Sequence, residues 1–179
     1  LCHDQNIPFV VLDDFSNGFR DHLPPHTCLV EGDIGDEQLL TSLFSRYGVT
    51  AIIHFAARIV VADSVLQPLD YYINNTARSA VLIDCAIKSG IRHFVFSSTA
   101  ATYGDAAPGL LKEDSFKNPT SPYGRSKLMV EQILADAHAA HGLHFVILRY
   151  FNVAGADPEG RAGQSGRQAT HLVKLACQA

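Results

Sequence analysis

No Cys-x-x-Cys pair occurs in the chain. Cys2, Cys28, Cys85 and Cys177 stand far apart, which removes the usual zinc-ribbon and redox-pair spacings and points to free thiols in a reducing compartment. The sequence also lacks an apolar run of about 18 residues, a leader pattern and a lipidation motif, so nothing in it predicts a membrane anchor. Blocks of like charge are missing too. Fourteen basic and 18 acidic residues are interspersed, for a net charge of −4, and leave no footprint for nucleic acid or an anionic membrane. Nothing repeats and nothing is of low complexity. The expectation is a cytoplasmic globular protein whose partners are small molecules or a second copy of itself.

What is present is apolar and periodic. Hydrophobic residues make up 47 % of the 179, ample for the packed core of one domain or a little less. The runs Pro8–Asp13 and Thr27–Asp33 read as buried parallel strands, followed by strands over Val49–Ala57, Ile91–Ser97 and Leu143–Arg149. Between them lie helical patterns: Asp36 as cap to a helix stopped by Gly48, Leu69–Lys88 entered by Pro68 and left at Gly90, Tyr123 to about His141, and Thr170–Ala179. Strands alternating with helices at this spacing predict an α/β fold with a doubly wound parallel sheet. The chain begins at Leu1, where the pattern reads as the tail of a helix, and stops inside an apolar helical pattern at Ala179. A fragment cut at both ends is therefore expected. Two long loops, Thr99–Thr120 and Tyr150–Ala169, start at the carboxyl ends of strands, where open parallel sheets bind ligands.

One stretch carries chemistry. Pro122-Tyr-Gly-Arg-Ser-Lys127 sits where a loop becomes a helix, and Tyr123 and Lys127, four apart, leave the helix on one face. A phenol of unperturbed pKa near ~10 is a poor base at neutral pH, and a neighbouring ammonium favours its phenolate. Tyr123 is thus a candidate proton carrier. The match is weak alone, but the hydroxyl cluster Ser97, Ser98 and Thr99 ends a strand upstream of it.

Taken with Phe94-Val-Phe-Ser-Ser-Thr99, Tyr103-Gly104-Asp105, Ser121-Pro-Tyr-Gly-Arg-Ser-Lys127, Leu128-Met-Val-Glu131 and Leu148-Arg-Tyr-Phe-Asn152, the chain resembles the extended short-chain dehydrogenase/reductase family, and within it the UDP-glucose 4-epimerases. The resemblance implies a Rossmann-like NAD-binding domain over residues 1–152, with its first strand missing, and the start of a substrate-binding region over 153–179. The family's glycine-rich pyrophosphate turn is absent near Leu1, and the expectation is that it went with a missing N-terminus. By resemblance, Tyr123 is proton acceptor and donor, Lys127 its pKa-lowering partner and a ribose contact, and Thr99 the hydroxyl that meets the sugar oxygen. Tyr123 would take the proton of the sugar 4-hydroxyl while C4 gives hydride to NAD. The 4-keto sugar then turns over, and hydride returns to its other face.

Asp13, at a strand end, can accept from both ribose hydroxyls and would repel a 2'-phosphate, favouring NAD over NADP. Asp13-Asp14 read on their own could equally open a turn before Asn17-Gly18. The resemblance implies that Asp13, Asp14, Phe15, Ser16, Asn17 and Gly18 line the adenosine ribose and that Asp33 and Ile34 meet the adenine. It further implies that Phe55, Ala56, Ala57, Arg58 and Ile59 pass under the cofactor, Ile59 through its backbone alone, and that Asn75 steadies the cofactor and the active-site helix. Ser97 belongs to the cofactor set, as do Tyr123, Lys127 and Phe151, the last near the nicotinamide. Asn152 is the expected substrate asparagine and His171 a diphosphate contact at a helix start. Thr99, Tyr123, Asn152 and His171 make up the substrate set. A homodimer through the helices at Leu69–Lys88 and Tyr123–His141 is also implied.

Several alternatives stand beside this. His138, His141 and His144 do not have the spacing of a metal site, and none is expected. Related 4,6-dehydratases place Asp-Glu after the threonine, where this chain has Ala100-Ala101, which favours simple C4 epimerisation. A UDP-glucuronate decarboxylase, or an epimerase for UDP-arabinose, UDP-glucuronate or UDP-N-acetylglucosamine, stays open, as does a non-catalytic dinucleotide sensor.

Overall fold

The computed structural model describes residues 2–105, 109–161, 163 and 172–178. Among the described residues, five strands, each paired in parallel, carry the architecture. β1 (Val10–Asp13) pairs with β2 (Cys28–Glu31), and β3 (Ala51–His54), β4 (His93–Thr99) and β5 (His144–Tyr150) form a second ladder in the order β3-β4-β5. Helix α1 (Glu37–Tyr47) connects the two ladders. The segment α2 (Val61–Leu66), α3 (Pro68–Tyr71), a widened π-helical turn (Tyr72–Ala77) and α4 (Arg78–Lys88) joins β3 to β4, and α5 (Pro122–His141) joins β4 to β5. A short α6 (Leu172–Gln178) follows.

Local chemistry explains most of these elements. Asp36 caps α1 by accepting from the amides of Gln38 and Leu39, both at 3.0 Å, and Gly48 stops it. Ser121 caps α5 through the Gly124 amide (3.1 Å), with Pro122 in the first turn. Leu40, Leu43 and Phe44 of α1, Leu82, Ile83 and Ala86 of α4, and Val130 and Leu134 of α5 share one core with Phe94 and Phe96 of β4. Side chains alternate along a strand, so the register that sets Phe96 beside His54 and Ile147 turns all three toward these helices. Ile53 and Val146, one residue out of step, are more than half exposed on the other face.

The structure redraws three sequence expectations. The single helix expected over Leu69–Lys88 is interrupted by the π-helical turn, which draws Asn75 inward to 2 % exposure. The strand expected over Val49–Ala57 ends at His54 because Asn75 captures the next segment. Its side chain accepts from the Arg58 amide (2.9 Å) and donates to the Arg58 carbonyl (3.0 Å), taking the place of a ladder partner. Third, Cys2–Asn6 form turns rather than a helix. The Ile7 amide reaches the Cys2 carbonyl (2.9 Å) and the Asn6 amide the His3 carbonyl (3.1 Å), with Asn6 at φ 52. This is the hydrogen-bond pattern that closes helices, which explains why the sequence reads as a helix tail.

Candidate functional site

Every described strand ends toward the same edge, so Asp13, Thr99 and Tyr150 lie along one rim. Two polar assemblies form there. The first belongs to α5, where Tyr123, Lys127 and Glu131 follow at four-residue steps on a stripe facing the sheet. Lys127 is 2 % exposed. Its ammonium donates to the Ser97 carbonyl at 2.8 Å and lies 4.9 Å from the Phe96 ring centroid, while burial pushes its pKa down to about 8. The Tyr123 phenol meets the Thr99 hydroxyl. Burial raises the Tyr123 pKa, the Thr99 hydrogen bond works against that rise, and the nearby Tyr150 adds to it. At neutral pH the group is therefore a protonated phenol.

A close approach fixes this geometry. A Cβ on Gly124 would stand 2.7 Å from the Ala101 carbonyl oxygen and 2.9 Å from Pro119 Cβ, so only glycine lets the first turn of α5 seat against the turn that follows Thr99. Thr99 caps that turn by accepting from the Ala101 amide at 3.1 Å. Behind it, Asn75 also donates to Ser126 Oγ (3.1 Å), and Thr76 Oγ1 donates to the Ser126 carbonyl (3.0 Å), which ties the π-helical turn to the active helix. His54 Nε2 lies 2.7 Å from Ser79 Oγ, whose own proton goes to the Asn75 carbonyl at 2.6 Å. The ring proton is therefore on Nε2. Burial, and then the Lys127 charge, push the His54 pKa down to about 3, which keeps the ring neutral.

The second assembly is a cavity of about 260 Å³ at the ends of β1, β2 and β3. The stretch Asp13–Gly18 lines it except for Phe15, together with Asp33, Ile34 and Phe55–Ala57. Asp13 Oδ1 accepts from the Phe15 amide at 2.7 Å, and Asp14 is held low by hydrogen bonds from the Ser16 hydroxyl and amide. A Cβ on Gly18 would come within 3.2 Å of both Asp13 carboxylate oxygens, so the missing side chain keeps that carboxylate open to a ligand. Small Ala56 and Ala57 do the same for the floor. Acceptors at a strand end, a narrow cleft and backbone left bare by small residues fit the adenosine half of a dinucleotide.

Not every expected residue joins these assemblies. Ile59 is 63 % exposed, Phe151 is 74 % exposed, and Asn152 is also exposed just beyond β5. Arg58 is engaged through its backbone, and His171 lies outside the described residues. Several participants were not assigned to the site from the sequence, among them Leu12, Gly32, Asn74 and Arg78, which line the cavity, Ser126, which anchors α5, and Glu131. Only Glu131 carried a signal, its place eight residues after Tyr123.

The family model of the NAD dependent epimerase/dehydratase proteins matches residues 1–177. The chain belongs to that family. Among curated members of the NAD dependent epimerase/dehydratase family, the UDP-glucose 4-epimerase of Azospirillum brasilense is 55 % identical over 176 residues, covering 98 % of this chain and 51 % of that protein. The one from Lacticaseibacillus casei is 44 % identical over 169 residues, covering 94 % and 51 %. A crystal structure of UDP-glucose 4-epimerase from Brucella ovis in complex with NAD superposes with a TM-score of 0.92 at 39 % identity, over 97 % of this chain and 53 % of that one. The chain thus spans about half the length of the curated relatives it matches.

Proposed function

We propose that this chain is the cofactor-bearing part of a UDP-glucose 4-epimerase, an NAD-dependent isomerase that interconverts UDP-glucose and UDP-galactose. The observation that carries the reading is the meeting of the Tyr123 phenol with the Thr99 hydroxyl, above a buried Lys127 on the same helical stripe. The names of the relatives support it. Asp13 would hold the adenosine ribose and Asp33 and Ile34 the adenine, while Lys127 and Tyr123 would meet the other half of NAD. When bound, NAD would supply the hydride acceptor for sugar C4.

The proton work falls to the chain's own residues. Thr99 hydrogen-bonds the sugar 4-oxygen and aligns it with Tyr123, whose phenolate removes the hydroxyl proton and whose phenol gives it back. Lys127 provides the cation that favours the phenolate. No carboxylate follows Thr99, where Ala100 and Ala101 form the turn, so this chain lacks the acid and base needed there to eliminate water. That favours epimerisation over 4,6-dehydration. Asn152 and His171 remain assigned to the UDP-sugar by resemblance.

The protein acts as a cytoplasmic homodimer in this reading. Support for pairing comes from Leu66, Leu69 and Ile73, which are 80, 72 and 56 % exposed along consecutive helical turns. No helix among the described residues is long and apolar enough to cross a membrane, and the four cysteines are free. The test is a single preparation incubated with UDP-glucose without added reductant, its products identified by NMR and its mass measured by sedimentation. UDP-galactose from a two-chain particle is expected. A 4-keto-6-deoxy sugar would replace the reading with a dehydratase, an unchanged substrate would remove the activity, and a one-chain particle would remove the dimer.

A further inference from the structure

Arg78 is the one cation among the described residues lining the 260 Å³ cavity, facing the carboxylates of Asp13, Asp14 and Asp33. Two acceptors hold it there. Nη2 pairs with Asp33 Oδ2 at 2.9 Å, and Nη1 donates to Asn74 Oδ1 at 2.9 Å. Asp33 is fixed in turn by the Gly35 amide, which donates to its Oδ1 at 2.7 Å. Hydrogen-bond acceptors of a guanidinium lie in its plane. With both terminal nitrogens engaged, the group cannot swing freely and offers a ligand its flat faces. A side chain serving only as a surface counter-charge would not need this double restraint, and an exposed ion pair alone contributes little.

We propose that Arg78 is a cofactor-binding residue whose restrained guanidinium plane stacks on the adenine of the dinucleotide. The proposal rests on the assignment of this cavity to NAD. Adenine is a flat, neutral heteroaromatic ring, and a guanidinium plane is a good partner for such a ring through stacking and cation–π attraction. Phe55 is the single aromatic among the described residues lining the cavity, so Arg78 supplies a second flat surface. Its charge also offsets part of the triple carboxylate, which would otherwise oppose an anionic ligand.

A rival role is visible. Asn74 Nδ2 donates to Asn75 Oδ1 (3.0 Å), and Asn75 reaches Ser126 on α5, so Arg78 could act as a strut for the Tyr123 end instead. The two roles separate with two ligands. NAD touches both ends of the site, whereas ADP carries the adenosine and pyrophosphate without the nicotinamide riboside. Calorimetric affinities of both would be measured on the intact protein and on Arg78→Ala and Arg78→Lys, with thermal unfolding as a folding control. The stacking role predicts that Arg78→Ala weakens NAD and ADP by the same factor, roughly 3- to 30-fold. Arg78→Lys, which keeps the charge but not the plane, should recover less than half of that loss on a logarithmic scale. Unchanged affinity for both ligands, a loss confined to NAD, or full recovery in Arg78→Lys would each overturn the proposal. Failure of the unmutated protein to bind either ligand would instead remove the cofactor assignment beneath it.

Discussion

In the proposed epimerase, Tyr123→Phe lowers turnover of the UDP-sugar by roughly 10²- to 10⁴-fold, the range associated with losing a positioned proton-transfer group, and leaves the fold intact. The substitution removes a single oxygen. The ring that packs edge-on to Tyr71 at 6.4 Å between centroids is kept, so the loss falls on the proton and not on the packing. Of the described groups that share this part of the site, Thr99 accepts from the Ala101 amide and Lys127 donates to the Ser97 carbonyl. Initial rates by product analysis, with thermal unfolding in parallel, check this. A variant keeping more than a tenth of the wild-type rate at an unchanged midpoint would mean that Tyr123 is not the proton carrier.

The second large effect is on stability. Alternation along the strands and the pairing of Ser98 with Arg149 direct both side chains toward α5, where Glu131 is 4 % exposed. Arg149 grips it with two nitrogens, Nε at 2.9 Å and Nη2 at 2.7 Å, and Ser98 Oγ donates to the same carboxylate. Arg149 Nη1 continues to the Tyr103 hydroxyl (3.0 Å) and the Glu113 carbonyl (2.9 Å), so one ion pair ties α5 and β5 to the loop that follows Thr99. Glu131→Ala would leave a largely buried guanidinium without its counter-charge, at a cost of about 3–5 kcal/mol. For a chain of this size that is a fall in the unfolding midpoint of roughly 6–20 °C. The double variant Glu131→Leu with Arg149→Met should recover most of the fall, because it removes both charges together. Scanning calorimetry decides it, and a fall of less than about 2 °C for Glu131→Ala would show that water reaches the pair.

The same contrast explains what the sequence could disclose. Asp36 and Gly48, or Ser121 with Pro122, act within one helical turn, so their capping chemistry is written beside the residues it serves. Tyr123 and Lys127 were legible because a four-residue step is itself the geometry. The partner of Lys127 was not. A step of four suggests an ammonium beside the phenol, but the strand underneath offers the Ser97 carbonyl, and that contact spans thirty residues of sequence. Arg78 reads locally as one more charge on an amphipathic helix. Its meaning comes from Asp33, brought close only when α4 lies over the end of β2. The π-helical turn was invisible for a similar reason, since Tyr72–Ala77 continues the apolar rhythm, and only the capture of Arg58 and Ser126 by Asn75 and Thr76 gives the widened turn its partners.

The most direct test of the account follows the proton that Tyr123 handles. In this mechanism the phenol exchanges with the sugar 4-hydroxyl alone and never with carbon. Wild-type protein converting UDP-glucose in deuterated water should therefore yield UDP-galactose whose C4 keeps protium, with deuterium only at exchangeable oxygens, as read by NMR. Deuterium at C4 in proportion to turnover would show that the carbon is deprotonated and reprotonated by the protein, and would contradict the roles assigned to Tyr123, Thr99 and Lys127.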